Sequence, residues 1–250
     1  MTYGLRRMRF RTLYPCIGLC VLFLVGCGAQ HAEKDPEAPS QAQPSAPAPA
    51  VSPAASEATD APLRVVVLGN SLAAGYGLDP EQAFPALLQQ KVDSLAWNVV
   101  VVNAGVSGET TAGGLSRIDW LLRERVDVLI LELGGNDGLR GIATEVTQQN
   151  LQAIINKTRD RYAEARVVLA GMQVPTNLGP IYTERFRNLY PELARENDVA
   201  LIPFLLEGVG GISALNQSDG IHPTAEGHRI VAENVWETLR PVLASLIQEV

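Results

Sequence analysis

Four short segments of the chain hold side chains whose types and spacing suit nucleophilic chemistry. The first is Gly69-Asn70-Ser71-Leu72-Ala73-Ala74-Gly75-Tyr76-Gly77. A serine on a tight turn between a strand and a helix is exposed, and nearby backbone N–H groups can stabilise charge beside it. Ala73 stands where a Gly-Xaa-Ser-Xaa-Gly elbow would have its second glycine, so Ser71 taken alone also reads as a helix N-cap. The last segment is Ser218-Asp219-Gly220-Ile221-His222-Pro223. Three residues separate Asp219 from His222, so one turn of loop can set the carboxylate against imidazole Nδ1. That contact fixes the tautomer and supports the imidazolium while Nε2 takes a proton from a serine. His228 falls on an expected helix, as a structural or solvent-facing residue. Two histidines and one aspartate do not form a recognised metal-ligand spacing, so no metal is expected.

The two middle segments are rich in glycine. Asn103-Ala104-Gly105-Val106-Ser107-Gly108-Glu109-Thr110-Thr111 lets backbone N–H groups come close to a substrate, and it also reads as a plain strand-to-helix loop capped by Thr110. Glu132-Leu133-Gly134-Gly135-Asn136-Asp137-Gly138 places the Asn136 amide where it can donate to a developing oxyanion. Its other readings are a Gly-Asn surface turn and a phosphate loop, although the lysine of a P-loop is missing.

These segments need a frame to bring them together. Apolar, β-branched runs at 63–68, 97–103, 126–133, 165–171 and 199–204 read as buried strands, and near-continuous apolar strands suit a parallel sheet covered on both faces. Helical stretches fall between and after them, at 81–96, 111–124, 144–161, 183–196 and 224–249. Strand and helix alternating in this way imply right-handed β-α-β units in one three-layer α/β domain, spanning 63–250. In such a sheet functional residues gather at the carboxyl ends of the strands, where all four segments lie.

The N-terminal quarter reads differently. Arg6, Arg7, Arg9 and Arg11 precede the apolar run from Cys16 to Cys27, the pattern of a secretory signal and too short to span a bilayer comfortably. Leu24-Val25-Gly26-Cys27 resembles a bacterial lipobox, which implies cleavage before Cys27 and acylation of it. Residues 1–27 are thus expected to be a lipoprotein signal segment. Gly28 in place of an aspartate favours the outer membrane by resemblance to lipoprotein sorting, with the protein facing the periplasm or the cell surface. Residues 28–62, dominated by Ala, Pro, Ser, Gln and Glu, are expected to form a disordered tether. All three cysteines lie in the signal segment, so the folded domain is expected to have no disulfide and no thiolate ligand. A net charge of −7 argues against nucleic acid as a partner, which would need clustered cations.

Taken together, the four segments resemble the four blocks of the SGNH, or GDSL, hydrolase family, in order. They are most similar to its bacterial periplasmic multifunctional thioesterase/protease/lysophospholipase (arylesterase) subgroup. Residues 103–117, 132–141, 173–182 and 219–223 carry the likeness to that subgroup, which covers Leu63 to the C-terminus. The resemblance implies a flavodoxin-like fold, with a five-stranded parallel sheet in the order 2-1-3-4-5. It implies Ser71 as nucleophile, His222 as base and then acid, and Asp219 as its orienting partner. The oxyanion hole is the backbone N–H of Ser71, the backbone N–H of Gly108 and the Asn136 side chain. The implied reaction is hydrolysis of carboxylic esters through an acyl-enzyme, with no cofactor. Substrates are aryl and short-to-medium acyl esters, with lysophospholipids and thioesters as further candidates. A polysaccharide O-deacetylase or an inactive lipid-tethered binding protein are the alternatives. Asn70 departs from the family's aspartate at that position.

Overall fold

The computed structural model describes residues 61–249; the expected signal segment and nearly all of the expected tether lie outside the described residues. Five strands, β1 (Leu63–Gly69), β2 (Val99–Gly105), β3 (Val128–Glu132), β4 (Arg166–Ala170) and β5 (Ala200–Ile202), form a sheet. All neighbours pair in parallel, in the order β2-β1-β3-β4-β5, as expected from the sequence. Seven α-helices accompany them: α1 (Ser71–Ala74), α2 (Phe84–Ser94), α3 (Thr111–Leu121), α4 (Gly135–Leu139), α5 (Thr144–Arg161), α6 (Pro180–Asn197) and α7 (Ala225–Gln248).

The strand order explains the layers. The crossover from β1 to β2 runs one way along the sheet and every later crossover runs the other. With right-handed connections, α2 therefore falls on one face and α3, α5 and α6 on the opposite face. The packing agrees: α2 lies against α7, while α5 contacts both α3 and α6. Covered on both sides, the central strands carry almost no polar residue; β3 is buried at every position. Its Leu129, Ile130 and Leu131 are fully buried beside Val65–Leu68 of β1. Each such side chain contributes about 1.5–3 kcal/mol by leaving water. The sheet reverses direction between β1 and β3, and that switch point opens the crevice in which ligands of open α/β sheets sit.

Several boundaries differ from those read in the sequence, each for a local reason. The helix expected over 81–96 is two pieces, a 3₁₀ turn at Pro80–Gln82 and then α2. Pro85 lies in the first turn of α2 and has no N–H to donate backward, so the helix restarts there, and Ala83 between the two pieces is extended. The helix expected from Thr183 begins at Pro180, because proline at the first position has its φ already set. The last strand stops at Ile202, since Pro203 has no N–H for the ladder. β2 extends to Gly105, paired with Gly69. Two short helices, α1 and α4, occupy segments read as turns.

Candidate active site

Ser71 begins α1 as its first helical residue. The N-cap is Asn70, whose Oδ1 accepts from the Leu72 N–H at 2.9 Å. This corrects the reading of Ser71 as a cap and leaves its hydroxyl free to point elsewhere. The turn needs room on both sides. A Cβ at Gly105 would strike the Ala73–Ala74 backbone, and one at Gly69 would strike the Glu132 carboxyl and Ala73. Glycine at both positions lets α1 lie directly on β2 and over the end of β3.

Ser71 Oγ donates to His222 Nε2 at 2.9 Å. On the other side of the ring, His222 Nδ1 donates to Asp219 Oδ2 at 2.7 Å. The second Asp219 oxygen accepts from the backbone N–H groups of Ile221 (2.9 Å) and His222 (3.1 Å). The three-residue spacing thus closes into a small loop around the carboxylate. The hydrogen bond from His222, followed by those two N–H groups, holds the Asp219 pKa down at about 2, so it is ionised at neutral and mildly acidic pH. An ionised Asp219 keeps the proton on Nδ1 and leaves Nε2 as the acceptor facing Ser71.

The histidine loop is anchored by residues that spacing alone does not single out. The Gln217 N–H donates to the His222 carbonyl at 2.7 Å, and its side-chain amide donates to the carbonyls of Tyr76 (2.7 Å) and Pro223 (3.1 Å). The Tyr76 ring lies 4.5 Å from the His222 ring between centroids, shielding one face of the imidazole. His228 takes the structural alternative of its two readings. It is buried, and its Nδ1 accepts from the Phe84 N–H at 3.2 Å. Burial lowers its pKa to about 4 and keeps it neutral.

Asn136, in the first turn of α4, lines the same cleft as Ser71 and His222. One of its amide hydrogens goes to the Glu109 carbonyl at 3.0 Å, which leaves the other for a ligand. That carbonyl is itself held in place. Arg117 grips both Glu109 carboxylate oxygens and donates from Nη2 to the Ala104 carbonyl at 2.6 Å. Asp137, buried, accepts from the Thr111 N–H and hydroxyl and ties α4 to the start of α3. Gly108 stands outside the cleft lining, on the adjoining loop, with φ of 80°; its carbonyl accepts from Arg140 Nη2 at 3.0 Å.

Below the serine turn lies a carboxyl group that neither the spacing nor the motifs assigned a part. Glu132, at the end of β3, is fully buried. It accepts from Asn70 Nδ2 (2.7 Å) and from the backbone N–H groups of Asn70 (2.9 Å) and Ala73 (3.2 Å). Burial raises its pKa to about 8, although these donors favour the charged form. The signal available in the sequence was a lone acidic residue closing an otherwise apolar strand.

The cleft itself measures about 470 Å³. Beyond the polar groups its walls are apolar, formed by Leu72, Leu139, Met172, Val174, Phe204 and Leu206. The arrangement provides a serine hydroxyl with a base, a base with a fixed tautomer, an amide donor and an apolar slot in one crevice.

Comparison with known proteins agrees with this geometry. Residues 67–230 match the model of the GDSL-like Lipase/Acylhydrolase family. Esterase TesA of Pseudomonas aeruginosa is 47% identical over 181 residues, covering 72% of this chain and 89% of that protein. The thioesterase 1/protease 1/lysophospholipase L1 of Escherichia coli K12 is 39% identical over 180 residues, covering 72% and 84%. Among solved structures, the crystal structure of TesA matches with a TM-score of 0.68 at 45% identity, covering 71% of this chain and 98% of that one.

Proposed function

Since the chain belongs to the GDSL-like lipase/acylhydrolase family, and so is a serine hydrolase of carboxylic esters, we propose that Ser71, His222 and Asp219 are its catalytic residues. The observation that carries this reading is the unbroken relay from Ser71 Oγ to His222 Nε2 and from Nδ1 to Asp219 at the mouth of an apolar cleft. As Ser71 Oγ attacks the ester carbonyl, Nε2 takes its proton, and Asp219 stabilises the imidazolium without taking a proton itself. The negative charge that forms on the carbonyl oxygen is met by the N–H groups of Ser71 and Gly108 and by the second Asn136 amide hydrogen. The imidazolium then protonates the departing alcohol, leaving an acyl group on Ser71. A water molecule, deprotonated by the same Nε2, releases the acid and restores the hydroxyl.

The apolar walls support aryl and short-to-medium acyl esters as substrates, with lysophospholipids next. They count against a polysaccharide O-deacetylase, which needs a polar cleft for sugar hydroxyls, and the assembled relay counts against an inactive binding protein. Thioesters suit the same chemistry, but acyl-CoA is cytosolic and the chain carries an export signal. The test is a panel of p-nitrophenyl esters of graded chain length beside lysophosphatidylcholine and acetylated xylan. The expected result is a rate that rises from acetyl to medium acyl esters, with little release of acetate from xylan. Xylan deacetylation without cleavage of the aryl esters would replace this reading with the deacetylase.

The protein is further proposed to be exported and held at a membrane, facing the periplasm or the cell surface, by acyl chains on Cys27. Arg6–Arg11, the apolar run and the sequence Leu24-Val25-Gly26-Cys27 support this. Among the described residues no helix is long and apolar enough to cross a membrane. A multiply acylated cysteine is by itself a stable anchor. Wild-type protein is expected to partition into the detergent phase and Cys27→Ser protein into the aqueous phase. Equal partitioning would remove the anchor.

Asn70 adds a pH prediction. Its Oδ1 lies 3.4 Å from Ser71 Oγ, and its Nδ2 meets Glu132. Asn70→Asp replaces that N–H with a second carboxyl oxygen. Burial already keeps Glu132 protonated to about pH 8, so its proton can bridge the two carboxyls and leave a single negative charge beside the serine. That charge favours the imidazolium form of His222. The acidic limb of kcat/KM is expected to move to higher pH, measured at low ionic strength where screening is least. An unmoved limb would show that the charge does not reach the imidazole.

A further inference from the structure

The large hydrophobic side chains left in solvent are unevenly distributed. Of those exposed among the described residues, only Leu95, Trp120 and Ile247 lie toward the amino-terminal end of the sheet. The rest stand on the segments that follow the carboxyl ends of the strands, the end at which the cleft opens, and two of them, Leu139 and Ile221, line it. The connections after the five strands contribute Tyr76, Val106, Leu139, Ile181, Ile212 and Ile221, in chain order, between 45% and 69% exposed. Leu178 shares a surface hollow with Ile181, and Val146 is exposed in the first turn of α5, at the same end of the sheet. Two exposed guanidinium groups stand among these residues: Arg140, and Arg185 opposite Glu145 at 3.5 Å. Exposed apolar side chains gathered at one end of a domain, with cations among them, mark an interaction surface.

We infer that this surface docks the cleft onto the lipid leaflet that holds Cys27, an inference that rests on the anchor proposed above. Apolar side chains would enter the headgroup–acyl boundary while the two arginines meet lipid phosphates. The tether's attachment point makes the orientation informative. Residues 28–62 join the domain at Leu63, the amino end of β1 and thus the end of the sheet opposite the cleft. A short tether would hold the cleft away from the membrane. This one, at about 3.1 Å per residue when extended, reaches up to roughly 100 Å. A domain of this size is roughly 40 Å across, less than that reach. Length leaves both orientations open, and the one-sided apolar surface selects the docked one. Lipid esters and lysophospholipids would then pass from leaflet to serine without crossing bulk water.

The test uses the absence of cysteine beyond Cys27. Ile181→Cys and Trp120→Cys, each in the full acylated protein, are labelled with an environment-sensitive fluorophore and placed on phosphatidylethanolamine/phosphatidylglycerol vesicles carrying nitroxide lipid. Several-fold stronger quenching at position 181 than at 120 is expected. Equal quenching, or stronger quenching at 120, would overturn the docking. Flotation with the vesicles scores the anchor separately. A protein that fails to float yet still shows selective quenching at 181 when vesicles are added keeps the docking surface and loses only the anchor. Lipid-free shielding of the label that grows with protein concentration would assign the surface to a second copy of the chain and overturn the lipid reading. As a second readout, Ile181→Asp is expected to leave hydrolysis of soluble p-nitrophenyl acetate unchanged. Its turnover of lysophosphatidylcholine in vesicles is expected to fall several-fold; no fall would also count against docking.

Discussion

Ser71→Ala is expected to lose on the order of 10⁴-fold or more in kcat while melting close to wild type, and His222→Ala to match it. The two losses belong to one relay. With Ser71 gone, Nε2 has no hydroxyl to deprotonate; with His222 gone, the hydroxyl has no base at 2.9 Å. Because the pair acts as a unit, the double variant should be little worse than either single one. The fold should survive both changes. The cap of α1 belongs to Asn70, so removing the serine hydroxyl leaves it intact. The His222 loop keeps its backbone bond to Gln217 and the Asn216–Pro223 bridge. An organophosphate should label Ser71 alone, read by peptide mass. Labelling at another serine, or turnover that survives in Ser71→Ala, would overturn the assignment.

Asn136→Ala is expected to cost about 10²–10³ in kcat with KM nearly unchanged. The amide has two hydrogens with separate partners. One holds the Glu109 carbonyl, and its loss should cost about 1 kcal/mol of stability, the usual net value of one hydrogen bond. The other is left for the cleft that Asn136 lines; in the proposed role it matters only when the substrate oxygen acquires charge, so its loss should fall on the chemical step. Stability and turnover therefore separate the two roles. A change confined to KM would make Asn136 a binding group, and a change confined to melting would make it a support for Glu109.

Much of this was legible in the chain because it is written in local patterns. The strands show as apolar runs since both sheet faces are covered, and Val128–Glu132 is buried throughout. The Asp219–His222 contact is visible because both residues lie in one loop. What the sequence hid are contacts across long separations. Gln217 reaches back to Tyr76, and Glu132 reaches Asn70 on a neighbouring strand's turn. No spacing rule links either pair; the second is joined by the parallel register of β1 and β3, which sets Gly69 beside Glu132. The same blindness affected Asn70. Read against its sequence neighbours it is a turn residue of uncertain charge effect. In the fold its amide is committed to a buried carboxyl. The helices α1 and α4 were missed for a different reason, since four or five glycine- and alanine-rich residues make too short a period to register.

The buried Glu132 also makes folding a proton-consuming event. In an unfolded chain this side chain ionises near its ordinary value of 4.5, whereas in the folded domain it keeps its proton until about pH 8. Between those two values the native state holds a proton that the unfolded state has released, so stability falls as pH rises across the interval. The contribution is complete below 4.5, declines steadily above it, and is spent once pH passes about 8. In the interval the domain takes up a proton as it folds, so acidification favours the folded state. Asp219, held by N–H groups, has the opposite dependence and loses its contribution as pH falls toward about 2. Mild acidification therefore favours the fold through Glu132, one strand away from the reacting atoms, while the carboxylate beside His222 stays ionised.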